Sequence, residues 1–139
     1  IYIGQFDFLK KRDLQASYEN SSIFVTNEQN DEEDMVDDII HEIAHSVEET
    51  FGDFLYSDLK LEKEFVSKRK NLWSLISAQP GCPDLLNFMN IDYSIDFDEY
   101  LYKDLGYPAL AMYTANLYYT PYAVTSLREY FANGFEAFF

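Results

Sequence analysis

The stretch Asp34-Met35-Val36-Asp37-Asp38-Ile39-Ile40-His41-Glu42-Ile43-Ala44-His45-Ser46 decides how this chain is read. It holds the only two histidines among 139 residues, four apart, with a glutamate directly after the first. Met35, Ile39, Ile40, Ile43, Ala44 and then Val47 recur at three and four residues, the period of an amphipathic helix. On such a helix His41 and His45 share a face, about 6 Å apart along the axis. Two imidazoles placed this way can grip one tetrahedral metal ion, and Glu42 then sits beside the metal within reach of a water. Two helical histidines can also be structural or simply face solvent. That reading leaves unexplained a glutamate at the one position that completes His-Glu-x-x-His, in a helix whose other face must be buried. Two imidazoles and a carboxylate in a tetrahedral site suit Zn2+.

Immediately upstream, Asn30 or Asp31 can cap this helix, and Glu32, Glu33 and Asp34 occupy its first turn, where the helix dipole favours anions. The helix is expected to end near Thr50, with Gly52 as its stop. Ser22-Ile23-Phe24-Val25-Thr26-Asn27 is β-branched and aromatic between turn residues, which predicts a strand with Ile23 and Val25 on one side and Phe24 and Thr26 on the other. Ile1 to Gly4 reads as a short strand, and Phe6 to Leu14 is mixed, with a helical turn. Downstream, Phe54 to Ala78 is helical until Gln79-Pro80-Gly81-Cys82-Pro83 breaks it. Asp84 to Asn90 is a short helix, Phe97 to Leu105 a helix closed by Gly106, and a further helix runs from Pro108 to about Tyr118. Thr120-Pro121 is a loop, after which Thr125 or Ser126 caps a last helix from Leu127 to Phe139. These elements define an α+β chain, 1–139, in a single domain.

Composition narrows the function classes. Aromatic residues make up 18% of the chain, enough apolar bulk to exclude disorder. A net charge of −15 argues against nucleic-acid binding and against an anionic membrane surface. The same charge would attract divalent metal and basic substrates, although a solvated helix start accounts for Asp34, Asp37 and Asp38 equally simply. Cys82 is the only cysteine, which excludes an internal disulfide and a cysteine zinc site and favours a reducing, cytoplasmic setting for a soluble protein. No transmembrane run or export leader is visible, but the chain opens on Ile1 rather than Met, as a fragment of a longer chain would, so the missing leader carries little weight.

A catalytic zinc needs a third protein ligand and one open position. No third histidine exists, so the ligand must be one of 25 acidic residues. Glu49 lies too close on the same helix, and Glu62, Glu64, Asp98 and Glu99 read as solvated faces or caps. Glu129 is the better candidate, because Ser126-Leu127-Arg128-Glu129-Tyr130-Phe131-Ala132-Asn133 is otherwise a helix rich in apolar residues, where a buried carboxylate needs a partner. Ser-x-x-Glu is also a capping-box pattern, with Glu129 reaching back to Ser126. Spacing alone does not separate the two.

His-Glu-x-x-His is the signature of zinc-dependent peptidases. Paired with a downstream Glu-aromatic-Phe-Ala segment, it resembles the catalytic domain of the anthrax lethal factor-like metallopeptidases and the related Pro-Pro endopeptidases. The resemblance rests on His41, Glu42, His45, Tyr122, Glu129, Phe131 and Ala132. It implies a zincin-like fold of the gluzincin kind, with a small N-terminal sheet packed on the metal helix and a mainly helical C-terminal half. It implies Glu129 as third ligand, Tyr122 as the donor to the oxyanion and Glu42 as general base in hydrolysis of a peptide or protein substrate. It further implies that an extended substrate adds to the strand at Ile23 to Asn27 as an edge. One departure concerns the partner of a zinc-bound histidine, a glutamate four residues past the ligand in the family and Asn133 here. Asn133 and Asp38 are both candidates to orient an imidazole. The alternative function is a non-catalytic module that keeps the fold as a binding or structural part of a larger assembly.

Overall fold

The computed structural model describes residues 1–115 and 117–139. It is α+β, mostly helical with one three-stranded sheet. The chain divides into two compact units, residues 1–52 with 135–139, and residues 53–134.

The first unit contains β1 (Tyr2–Gly4), α1 (Asp7–Arg12), β2 (Ala16–Glu19), β3 (Ser22–Thr26) and most of α2 (Glu32–Leu55). The sheet order is β1-β3-β2, with β1 parallel and β2 antiparallel to β3. β3 is therefore the central strand, not an edge. Both of its sides are already hydrogen-bonded, which removes it as the place where a substrate strand could add. Strand β2 carries no sequence signal of its own, because Ala16-Ser17-Tyr18-Glu19 has little β-branched character. Its pairing is made by a two-residue turn in which Asn20 and Ser21 both have positive φ, 49° and 59°, the turn whose twist matches a hairpin. Alternation along β3 follows the pattern of its sequence. Ile23 and Val25 are buried, whereas Phe24 joins Tyr2, Phe6 and Phe8 in an aromatic cluster with ring centroids 5.2–5.3 Å from its own.

Helix α2 begins where capping places it: the Asp34 N–H donates to Asp31 Oδ1 at 2.9 Å. It does not stop at Gly52 but continues to Leu55. A long amphipathic helix can absorb one glycine at a cost of about 1 kcal/mol. The break comes later, at Leu59, whose left-handed backbone (φ 57°) precedes α3.

The second unit contains α3 (Lys60–Ile76), α4 (Leu85–Met89), α5 (Ile95–Glu99), a π-helical segment (Tyr100–Gly106), α6 (Tyr107–Thr114), a 3₁₀ turn (Pro121–Val124) and the start of α7 (Leu127–Phe138). Its core is built from Phe65, Leu72 and Ile76 of α3 with Phe88, Leu101 and Leu110. The helix expected over Phe97 to Leu105 is two elements, α5 and the wider π-helical segment. Gly106 ends it as anticipated, at φ 83°, a conformation that favours glycine. The helix after Pro108 ends at Thr114 rather than near Tyr118, and Asn116, which falls in that expected run, lies outside the described residues. Arg69 is a buried cation within this mostly apolar core. Its guanidinium donates to the Asn90 carbonyl and stacks on Phe97 at 4.1 Å, and burial lowers its pKa to about 10. Among the described residues, no helix is long and apolar enough to cross a membrane.

Candidate metal centre

Within the first unit, α2 brings His41, Glu42 and His45 to one stretch of its surface. The two imidazole rings lie 4.8 Å apart between centroids, with planes at 84°. That separation reflects one helical turn plus the free rotation of each side chain, and it suits two nitrogens converging on one ion. His45 is buried and His41 partly exposed, at 8% and 20% of their side chains. Glu42 is buried as well, at 9% exposure, where a carboxylate is rarely found without a purpose or a partner.

A carboxylate from the far end of the chain reaches this stretch. Glu136, on the last turn of α7 and in the same compact unit, places Oε2 3.2 Å from His41 Nδ1. An ionised carboxylate can only accept, so this contact favours a proton on Nδ1, and in a neutral ring the lone pair is then on Nε2. His45 Nδ1 lies 3.8 Å from Glu48 Oε2, an electrostatic contact longer than a hydrogen bond. The donor set of α2 therefore fits Zn2+: two imidazoles, one of them already held by a carboxylate.

Asp38, one turn before His41, accepts a hydrogen bond from Gln29 Nε2 at 2.8 Å. Burial raises its pKa; the Gln29 bond and the neighbouring His41 oppose this, and Asp34 and Asp37 reinforce it. Asp38 also lines a cavity of about 320 Å³ in the first unit, together with Glu28, Asp34, Asp37 and Glu136.

In the second unit, Tyr122 and Glu129 come from adjoining elements. Tyr122 sits on the 3₁₀ turn, anchored there by the Thr125 hydroxyl, which donates to the Tyr122 carbonyl at 2.8 Å. Burial pushes the Tyr122 hydroxyl well above its usual pKa, and the charges of Glu129 and Asp98 push it further. The hydroxyl thus keeps its proton and remains a donor. Glu129 occupies the first turn of α7, and its N–H donates to Ser126 Oγ at 3.1 Å. This is one half of the capping box, and it uses the amide of Glu129 rather than its carboxylate.

Two of the residues after Glu129, Tyr130 and Ala132, are accounted for by packing. Tyr130 is buried, with its ring 5.4 Å from Phe65 and its hydroxyl held between Glu64 and Lys68. Ala132 is fully buried, where nothing larger is accommodated without rearrangement. Asn133 is occupied in the same unit: its amide oxygen accepts from the Thr120 hydroxyl at 2.5 Å and its NH2 donates to the Glu129 carbonyl at 2.9 Å. The partner found on His41 is Glu136 instead, three residues further on. Sequence reasoning reached one turn past Glu129 and missed it. Glu136 is seven residues, two turns, past Glu129 and so returns to the same side of α7, but that spacing does not name His41 as its partner.

Comparison with known proteins finds no matching family model, no matching curated protein and no matching solved structure.

Proposed function

We propose that this chain is a zinc-dependent endopeptidase of zincin-like fold. The observation that carries the reading is the α2 arrangement: two imidazoles 4.8 Å apart, a buried glutamate beside them, and a carboxylate on His41 Nδ1. Glu129 is proposed as the third ligand, because each of His41, His45 and Glu129 offers one ligand atom and three protein ligands leave an open position. One property of Glu129 supports that choice: it lies seven residues, two turns, before Glu136 and so shares that residue's side of α7.

Bound zinc would lower the pKa of a coordinated water toward neutrality and polarise the scissile carbonyl. Glu42 takes the proton released as water attacks the carbonyl carbon, and returns it to the leaving amine as the C–N bond breaks. The Tyr122 hydroxyl, kept protonated, donates to the carbonyl oxygen as negative charge builds on it. Glu136 holds the His41 ring through Nδ1. An extended substrate would pair with an outer edge of the sheet, at β1 or β2, since β3 is flanked on both sides.

Cleavage of a diverse peptide library, with zinc supplied, tests the reading against the Glu42→Gln variant. Wild-type protein should cut and the variant should retain zinc while losing about 10²–10⁴-fold in kcat/KM. A zinc-loaded wild type that leaves the library intact, indistinguishable from Glu42→Gln, makes the chain a non-catalytic module instead.

A further inference from the structure

We infer that Glu136 is the positioning residue of the metal helix, fixing the tautomer and ring orientation of His41 so that Nε2 is presented to the ion. The inference rests on the zinc reading above and deepens it. Its basis is a contact that no sequence pattern specifies: Glu136 Oε2 and His41 Nδ1 meet at 3.2 Å although 95 residues separate them. Both side chains are substantially shielded, at 29% and 20% exposure, so the bond is better protected from competition by water than a surface ion pair. Position and chemistry agree. The carboxylate comes from a different helix than the two histidines, which lets it restrain χ2 of His41 independently of α2.

Asn133, at the position where the resemblance places a positioning glutamate, is committed to Thr120 and to the Glu129 carbonyl. The role has moved along α7 by nearly a turn. Glu48 stands 3.8 Å from His45 Nδ1, beyond hydrogen-bond distance, whereas Glu136 is within it on His41.

Zinc affinity, measured by competition with a chromophoric chelator, and the 15N shifts of the His41 ring in metal-free protein test this together. Glu136→Gln, nearly isosteric, and Glu136→Ala should weaken zinc about 10–100-fold, and Glu136→Asp should recover part of the loss. In metal-free wild type His41 should carry its proton on Nδ1, and Glu136→Gln should shift the ring toward a mixture of tautomers. Asp34→Asn removes a charge from the same acidic cavity without touching His41, and should leave zinc affinity within about twofold. Circular dichroism and thermal melting of the metal-free variants establish that they are folded; if Glu136→Ala is not, Glu136→Gln carries the comparison. The inference is overturned if Glu136→Gln binds zinc as wild type does with an unchanged His41 tautomer, or if Asp34→Asn weakens zinc equally, which would make the effect one of bulk charge. Wild-type protein that binds no zinc overturns the parent reading and this one with it, an outcome distinct from a wild type that binds and a Glu136→Gln that binds equally well.

Discussion

Replacing Glu129 by alanine separates the ligand from the cap. The Ser126 hydroxyl accepts from the Glu129 N–H, a backbone group that alanine retains, so this half of the cap survives the substitution. If the carboxylate binds zinc, the metal-free variant should melt close to wild type and differ only when zinc is added. At a free zinc concentration of about one hundred times Kd, wild type gains about 2.7 kcal/mol. A chain of 139 residues has an unfolding entropy of about 0.29 kcal/mol/K, at about 2.1 cal/mol/K per residue. The melting temperature should therefore rise by about 9 °C. A variant weakened about a hundredfold, at the same zinc concentration, gains only about 0.4 kcal/mol, a shift of about 1 °C. If Glu129 instead serves only the helix start, the pattern inverts. The metal-free variant loses about 0.5–1 kcal/mol, or about 2–3 °C, and keeps the full zinc-induced shift. Differential scanning calorimetry with and without zinc reads both quantities. A Glu129→Ala protein with an undiminished zinc shift of about 9 °C would falsify the three-ligand reasoning.

Other consequences concern the reaction and the scaffold. Tyr122→Phe should lower kcat by about 10²–10³ while zinc affinity stays the same, as measured by steady-state kinetics and chelator competition; unchanged turnover would show that the hydroxyl donates nothing to the reacting oxygen. Asp38→Asn should stabilise the protein at about pH 7. A carboxyl whose folded pKa lies above its unfolded value penalises the folded state once ionised, and the penalty disappears as pH falls below the unfolded pKa of about 4. Urea unfolding at about pH 7 and about pH 3 should thus show a gain at the first and none at the second, and a loss at both would mean that the Gln29 bond outweighs burial. Phe65→Ala, at a fully buried position against Tyr130, should cost about 3–5 kcal/mol in denaturant unfolding. A cost under about 1 kcal/mol would mean that this core tolerates a cavity.

Legibility in the sequence tracks the range of the interactions. β1, β3, the start of α2 and the start of α7 were readable because each is written in neighbouring residues: alternation in Ile23 to Thr26, the Asp31 cap, the Ser126 cap. β2 was not, because its residues become a strand only by pairing with β3 across the Asn20-Ser21 turn. The extension of α2 past Gly52 was unreadable for the opposite reason, since a local breaker was overruled by the helix around it. The π-helical widening at Tyr100–Gly106 has no period that distinguishes it from an ordinary helix over seven residues.

The sequence by itself determined that His41 and His45 stand together on α2. Two histidines four apart on a helix must share a face, because backbone hydrogen bonding sets about 3.6 residues per turn whatever surrounds it. It also determined that a helix containing Glu129 would open at Thr125 or Ser126. Only the tertiary structure decided that β3 lies between two strands, that Asn133 turns to Thr120, and that Glu136 reaches His41 across 95 residues of sequence. Those outcomes depend on which surfaces pack together, and packing is settled by shape and burial over the whole chain, not by the spacing of any one segment.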